Sequence, residues 1–195
     1  MLYAHVPFCH TFCPYCSFHK YHYEQELAKI YFENLRQEMR QVKAAGFDFG
    51  SLYVGGGTTL INEPELEKTL VLAKELFNIK DVSCESDPNH IQPENLKRFQ
   101  GLIDRLSVGV QSFDDETLKR VARYEKFGSS EALQEKLKKA LGVLPVMSLD
   151  LIFNLPNQTK EQLLNDIKNS CCQSLFIQLT ATPQSLLLQH EKSDW

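Results

Sequence analysis

Three cysteines fall within eight residues, Cys9-x3-Cys13-x2-Cys16, in the stretch HVPFCHTFCPYCSFHK (5–20). A disulfide would use an even number of them, and a structural zinc ion needs four protein ligands. His10, His19 or His22 could complete a zinc set, although the spacing is cramped compared with the gap between ligand pairs in zinc modules. A cube of four irons and four sulfides offers four iron corners, each wanting one outside ligand, usually a thiolate. Three cysteines on one short loop hold three corners and leave the fourth iron open. An open metal position marks a reactive site, as it does for zinc. The loop is read as holding a [4Fe–4S] cluster through Cys9, Cys13 and Cys16, with the zinc module as the alternative. Cys84, Cys171 and Cys172 have no ligand spacing and read as small buried residues.

Other polar residues collect at the ends of apolar runs: GGGTT (55–59), ESDPNH (85–90), GVQSF (109–113) with Arg123 one helix later, and NLPNQT (154–159). A triple glycine allows close backbone approach to a ligand. A guanidinium suits a carboxylate bidentately. Asp150 is an acid inside the apolar run SLDLIF (148–153), where burial without a partner would be costly.

The elements that must bring these residues together alternate in type. Strands are expected at 2–6, 51–55, 81–86, 105–110, 146–153 and 174–179. A helix at 24–45 carries Leu27, Ile30, Tyr31, Leu35, Met39 and Val42 on one stripe and is closed by Gly46. Asn62 and Glu65 form a capping pair for a helix bearing Leu66, Leu70, Ala73 and Phe77. A short helix lies near 93–99, Asp114 caps the next one, and Leu133, Leu137 and Leu141 mark another. Thr159 caps a helix with Leu163, Ile167 and Cys171. Six strands alternating with helices give an α/β fold with a parallel sheet, whose chemistry gathers at the C-terminal strand ends. Tyr3 and His5 share a face of the first strand.

Composition excludes several classes. With 195 residues, 43% hydrophobic and 24% charged, the chain suits one globular domain. A net charge of −4 without a Lys/Arg run gives no nucleic-acid stripe. No stretch reaches the length of a membrane span, and the N-terminus lacks the pattern of a secretory signal. A cytoplasmic location is expected, where six cysteines read as metal or redox ligands.

The cluster loop, with Tyr15 just before its last cysteine, resembles that of the radical S-adenosylmethionine enzymes. HVPFC, YVGGGT, RLSVGVQSFDDETLKRVAR and DLIFNLPNQT together resemble the oxygen-independent coproporphyrinogen III oxidase family, whose relatives include a haem chaperone and haem-degrading enzymes. The resemblance runs over about residues 2–180. It implies a partial (β/α)6 TIM-like barrel, open on one side, with S-adenosylmethionine chelating the free iron. It also implies cofactor contacts from Tyr15 (adenine), Gly55, Gly56, Gly57 and Thr58 (methionyl amino group) and Arg123 (methionyl carboxylate). Glu85, Gln111 and Asp150 would meet the ribose hydroxyls and the amino end. A tetrapyrrole or haem is the implied small-molecule partner, and a flavodoxin or ferredoxin the implied one-electron donor. The activity implied is oxidative decarboxylation of coproporphyrinogen, with haem carriage without oxidase activity as the alternative.

The chain departs from the family pattern in places. Ser17 follows the last cluster cysteine, and Phe18 stands where the oxidase carries a further cysteine. GGGTT lacks the usual proline, and Asn154 and Asn157 replace the usual glycines. The reading assigns 1–180 to the cofactor-binding core and 181–195 to a tail, with the family's C-terminal region expected to be absent.

Overall fold

The computed structural model describes residues 1–155, 157–171 and 176–181, with Cys171 and 176–181 as backbone only. Its centre is a six-stranded sheet of β1 (Leu2–Val6), β4 (Ser51–Gly56), β5 (Asp81–Ser86), β6 (Arg105–Gln111), β7 (Val146–Phe153) and β8 (Phe176–Ala181), in that spatial order. Every neighbouring pair is parallel. Each strand therefore lies beside the next long strand in the chain, as in a barrel wall. Among the described residues β1 and β8 remain the two edges, so the wall does not close. This is the partial barrel, open on one side, that the family resemblance implies.

Alternation along the strands separates two faces. Ala4, Val6, Leu52, Val54, Val82, Cys84, Leu106, Val108, Leu149 and Leu151 are buried in the main core with residues of the surrounding helices. Tyr3, His5, Tyr53, Glu85, Arg105 and Asp150 occupy the intervening positions and keep some exposure. Closed barrels fill that inner face with branched apolar side chains; here it is largely polar.

The helices are α1 (Gln25–Ala44), α2 (Glu63–Leu76), α3 (Pro93–Lys97), α4 (Asp115–Arg120), α5 (Tyr124–Phe127), α6 (Ser130–Ala140) and α7 (Lys160–Cys171). The stripe expected on α1 needs correction. Leu27 and Ile30 are exposed, whereas Ala28, Phe32 and Met39 are buried, with Tyr31, Leu35 and Val42 packed beside them. The buried line steps by three and four residues through Ala28, so the helix turns its smallest apolar residue inward. Before α2, Asn62 Oδ1 accepts from Glu65 N at 3.4 Å. Glu65 does not return the contact: it is buried and its carboxylate pairs with Arg36 and Lys68, each at 2.7 Å. Leu66, Leu70, Ala73 and Phe77 are buried as expected. Asp114 Oδ2 accepts from Thr117 N at 2.8 Å, and Thr159 Oγ1 from Gln162 N at 3.1 Å, so both expected caps form. Cys84 is buried; the Cys171 side chain, Cys172 and the tail beyond 181 lie outside the described residues.

Asn154 and Asn157 have φ of +66° and +55°. Asn is the residue besides glycine that tolerates this region best, which accounts for their replacing glycine. The end of β6 is more strained. Its register shifts between Gly109 and Gln111, and Gln111 has φ +75°. Just beyond, Asp166 of α7 fixes the chain: Oδ1 accepts from Phe113 N at 2.6 Å and Oδ2 from Ser112 Oγ at 2.8 Å. Asp166 is almost fully buried, and burial lifts its carboxyl to about 6 against those two donors. A carboxyl raised in the folded state binds its proton more tightly there. Its contribution is therefore full below the ordinary carboxylate range and is lost as pH rises through about 6. Asp166→Asn keeps an acceptor for Phe113 N without the buried charge. It should stabilise the fold by about 1–3 kcal/mol at pH 8 and by little at pH 4. Urea midpoints of variant and parent at both pH values check this; an equal effect at both would contradict it.

Candidate functional site

A strand pair too short to predict shapes the cysteine loop. β2 (Phe8–Cys9) lies parallel to β3 (Tyr21–His22), with Tyr21 N donating to Pro7 O at 2.6 Å and Tyr23 N to Cys9 O at 3.0 Å. The loop between them is thus closed at its base, and Cys16 N donates to Cys13 O at 3.1 Å to form the turn that carries the last two thiols.

Two cations, Lys126 and Arg123, tie the loop to the rest of the chain, and a third, Lys20, braces it from within. Lys126 Nζ donates to Thr11 O at 3.1 Å and Lys20 Nζ to Cys16 O at 2.5 Å. Arg123 Nη1 donates to Cys13 Sγ at 3.5 Å and to Tyr15 Oη at 3.0 Å, while Nη2 donates to Gly109 O. The Arg123 guanidinium stacks over Phe127, 4.1 Å from the ring centroid, and the residue is only 4% exposed. It is no solvated helix end. The three cations line the same cavity as the thiols, and positive charge there suits a loop whose thiolates would carry a net negative cluster.

Cys9, Cys13 and Cys16 line one cavity of about 300 Å³, together with Tyr15, Gly56, Gly57, Thr58, Glu85, Gln111, Arg123 and Asp150. Gly55 stands one residue behind, paired with His5 in the sheet. Of the residues named in the sequence as cluster ligands or cofactor contacts, all but Gly55 therefore border one space. His10, His19 and His22 do not line it. The His10 ring stacks at 7° on His90 and the His22 ring at 25° on Phe12, on the outside of the loop. Among the described residues no three His, Cys, Asp or Glu side chains converge as for a single metal ion. A cluster gives each thiolate its own iron, and three thiols around one cavity are what it requires.

The glycine segment is built by close approach. Gly56 has φ +126°, and a Cβ there would lie 2.7 Å from the His5 ring. At Gly57 a Cβ would lie 2.5 Å from Phe8 O and 2.9 Å from Cys9 Sγ. Glycine thus lets this segment nest against the first cluster cysteine. The N–H groups of Gly56, Gly57 and Thr58 are spent on Glu85 Oε2 (3.1 Å), Val6 O (2.8 Å) and Phe8 O (2.8 Å). What the segment can offer a ligand is carbonyl oxygen, the complement of an ammonium group.

Several side chains are engaged in ways the sequence does not announce. Glu85 accepts from Tyr53 Oη at 2.6 Å through its other oxygen. The Tyr15 hydroxyl is committed to Arg123, its ring packs against the buried group Val121, Ile152 and Leu155, and burial keeps the phenol protonated. Thr58 Oγ1 donates to Asp87 Oδ2 at 3.1 Å, and Asp87 Oδ1 meets His90 Nδ1 at 2.9 Å. Burial works to raise the Asp87 carboxyl, but His90 and the Asn89 N–H outweigh it and hold it at about 2. The Cys9 thiol is pushed up by burial, with the Thr58 hydroxyl opposing. Asp87, which lines the cavity, and His90, which holds it from outside the lining, were passed over by sequence reasoning. Their signal was the i, i+3 pair across an Asp-Pro turn inside ESDPNH.

Two buried polar atoms among the described residues lack a partner: Gln111 Oε1 and Arg123 Nε. Native interiors rarely leave such atoms unpaired. One acceptor and one donor, both on cavity-lining residues, fit a polar ligand that brings a donor and an acceptor of its own.

Comparison with known proteins bears on this site. The Radical SAM superfamily profile matches residues 3–169. The chain is 32% identical over 180 residues to the heme chaperone HemW of Bacillus subtilis, covering 86% of this chain and 46% of that protein. It is 34% identical over 178 residues to the oxygen-independent coproporphyrinogen III oxidase of Helicobacter pylori J99, covering 86% of this chain and 38% of that protein. Among solved structures, coproporphyrinogen III oxidase (HemN) from Escherichia coli superposes with a TM-score of 0.81 at 27% identity, over 99% of this chain and 47% of that one. The chain thus spans less than half the length of each of these proteins.

Proposed function

The chain belongs to the radical SAM superfamily, and on that footing we propose that it binds a [4Fe–4S] cluster and S-adenosylmethionine in the cavity described above, for radical chemistry on a tetrapyrrole. When bound, the pair supplies one-electron cleavage of S-adenosylmethionine to a 5′-deoxyadenosyl radical that abstracts hydrogen from substrate. The protein's own part is to hold and to exclude. Cys9, Cys13 and Cys16 are the cluster ligands in this reading, and the carbonyls of Gly56 and Gly57 face the methionyl ammonium group. Arg123 Nε and Gln111 Oε1 supply the remaining polar contacts, and the Glu85 and Asp150 carboxylates suit hydroxyls. Tyr15 walls the cavity from solvent beside the cluster loop. Gly55 acts from behind by admitting Glu85, and Thr58, on the cavity wall, links the glycine segment to Asp87.

The observation that carries this reading is the cavity itself: three thiols and three cations line one space, and two of its lining residues, Gln111 and Arg123, hold unpaired buried polar atoms. Oxidative decarboxylation of coproporphyrinogen III is the proposed reaction, with electrons from a flavodoxin- or ferredoxin-type donor in the cytoplasm. No helix among the described residues is long and apolar enough to cross a membrane. A second reading, haem carriage without oxidation, is favoured by one residue: Phe18, exposed at the cavity rim, stands where the resemblance puts a further oxidase cysteine. Anaerobic incubation of cluster-loaded protein with coproporphyrinogen III, S-adenosylmethionine and a reductant separates the two. Loss of propionate carboxyls as CO2 is the expected result. Haem bound and passed to an apo-haemoprotein, with no CO2, would replace the oxidase reading with the carrier.

A further inference from the structure

A line of polar side chains with a single proton order crosses the inner face of β6 and β7. Arg105 Nη2 donates to Ser148 Oγ at 2.9 Å, Ser148 Oγ to Ser107 Oγ at 3.0 Å, and Ser107 Oγ to Asp150 Oδ1 at 2.7 Å. Its ends fix the direction. A guanidinium can only donate, an ionised carboxylate can only accept, and each serine hydroxyl has one proton to pass along. Ser107 and Ser148 face each other across the ladder and are 2% and 1% exposed, so neither hydroxyl can turn to solvent. Bonds of one sense in a buried row polarise one another, and the last, to a charged acceptor, is of the stronger kind.

The arrangement is costly unless it serves a purpose. Inner-face positions of parallel barrel strands ordinarily carry Val, Ile or Leu, and buried hydroxyls stabilise nothing unless paired. Here an arginine and two buried serines form one chain that ends on a single oxygen of one carboxylate, and that carboxylate borders the cavity of the cysteine loop. Asp150 needs the support. Burial raises its carboxyl and so favours the neutral form, Ser107 opposes this, Glu85 across on β5 adds to the rise and Arg105 on β6 counters it. The Tyr53 phenol on β4 also feels its charge. On β8 the register partner is the uncharged Gln178.

We propose that Arg105, Ser148 and Ser107 are positioning residues that keep Asp150 ionised and oriented, leaving Oδ2 to accept from the vicinal hydroxyls of a ribose in the cavity. The proposal rests on the S-adenosylmethionine reading above. It goes beyond that reading in assigning the chain of hydroxyls behind the carboxylate, and in predicting that recognition of the diol depends on pH.

The test uses cluster-loaded protein and equilibrium binding of S-adenosylmethionine and its 2′-deoxyribose analogue from pH 5 to 9, with thermal midpoints recorded alongside. Ser107→Ala should weaken S-adenosylmethionine binding about tenfold or more, and Ser148→Ala about threefold. In both, the acid limb of the binding profile should move toward neutral pH, and Ser148→Thr, which keeps the hydroxyl, should restore the parent profile. The 2′-deoxy analogue, which keeps only the 3′-hydroxyl of the pair, should lose clearly less affinity in the variants than S-adenosylmethionine does. Parent affinity and parent pH profile in Ser107→Ala would overturn the proposal. So would an equal loss for both ligands at every pH, which is the mark of a general packing defect. Should Ser107→Ala fail to fold, the Ser148 pair carries the test. Parent protein that does not bind S-adenosylmethionine would overturn the functional reading itself; binding parent with unaffected variants would sink only the hydroxyl chain.

Discussion

Replacing Cys13 with alanine is expected to abolish a stable cluster and to reduce cleavage of S-adenosylmethionine to background. The three thiols share one cavity, and each would hold its own iron, so no neighbouring side chain can substitute. Loss of an outer partner of a metal ligand costs about 10–100-fold in metal affinity or activity, and loss of the ligand itself costs more. Two effects combine at this position. The variant removes the thiolate, and it also removes the sulfur that accepts from Arg123 Nη1. Iron and sulfide analysis of protein reconstituted under anaerobic conditions gives the direct readout, since it does not depend on knowing the substrate. A variant that retained a full complement of iron and still released 5′-deoxyadenosine would remove Cys13 from the ligand set.

The second large effect is expected at Arg123. Arg123→Lys keeps the charge and loses the fork. A single ammonium cannot meet Tyr15 Oη and Cys13 Sγ on one side and Gly109 O on the other. It also gives up the planar stack on Phe127. Each buried polar group left unpaired costs about 1–3 kcal/mol. With a shift of about 2–4 °C per kcal/mol for a domain of this size, a fall in thermal midpoint of roughly 5–15 °C is expected. Cofactor binding should fall about 10–100-fold further, because Nε, an unpaired buried donor on a residue that lines the cavity, disappears too. The two readouts separate the roles. Lowered stability with unchanged S-adenosylmethionine affinity would make Arg123 a strut of the cysteine loop and no ligand-binding residue.

That dual role explains much of what the sequence leaves hidden. The chemistry of the site was legible because it is local. Three cysteines in a short loop, a triple glycine at a strand end and an acid in an apolar strand all carry their meaning in adjacent residues. The caps Asn62, Asp114 and Thr159 were legible for the same reason, whereas the alternation of strands and helices fits a doubly wound sheet as well as a barrel, and the barrel order came from the family resemblance. The α1 face was not, since a stripe counted from Leu27 and one counted through Ala28 fit the helical period equally well. Only packing against the sheet and α2 chooses Phe32 over Ile30. The commitments of Thr58, Tyr15 and Arg123 join residues up to 110 positions apart and follow from how the fold brings the cysteine loop against the start of α5 and the glycine segment beside the end of β5. The inner-face chain is the clearest case. Ser107 and Ser148 become neighbours only because β6 and β7 pair with Ser107 opposite Ser148, a register that no single segment encodes.

The central claim is that this cavity binds a [4Fe–4S] cluster whose open iron takes S-adenosylmethionine. Anaerobic iron and sulfide analysis, followed by dithionite reduction with S-adenosylmethionine and assay for 5′-deoxyadenosine, tests it most directly. About four irons and four sulfides per chain, with 5′-deoxyadenosine released only by reduced protein, is the predicted result. Zinc in place of iron, or a full cluster that leaves S-adenosylmethionine intact under reduction, would contradict it.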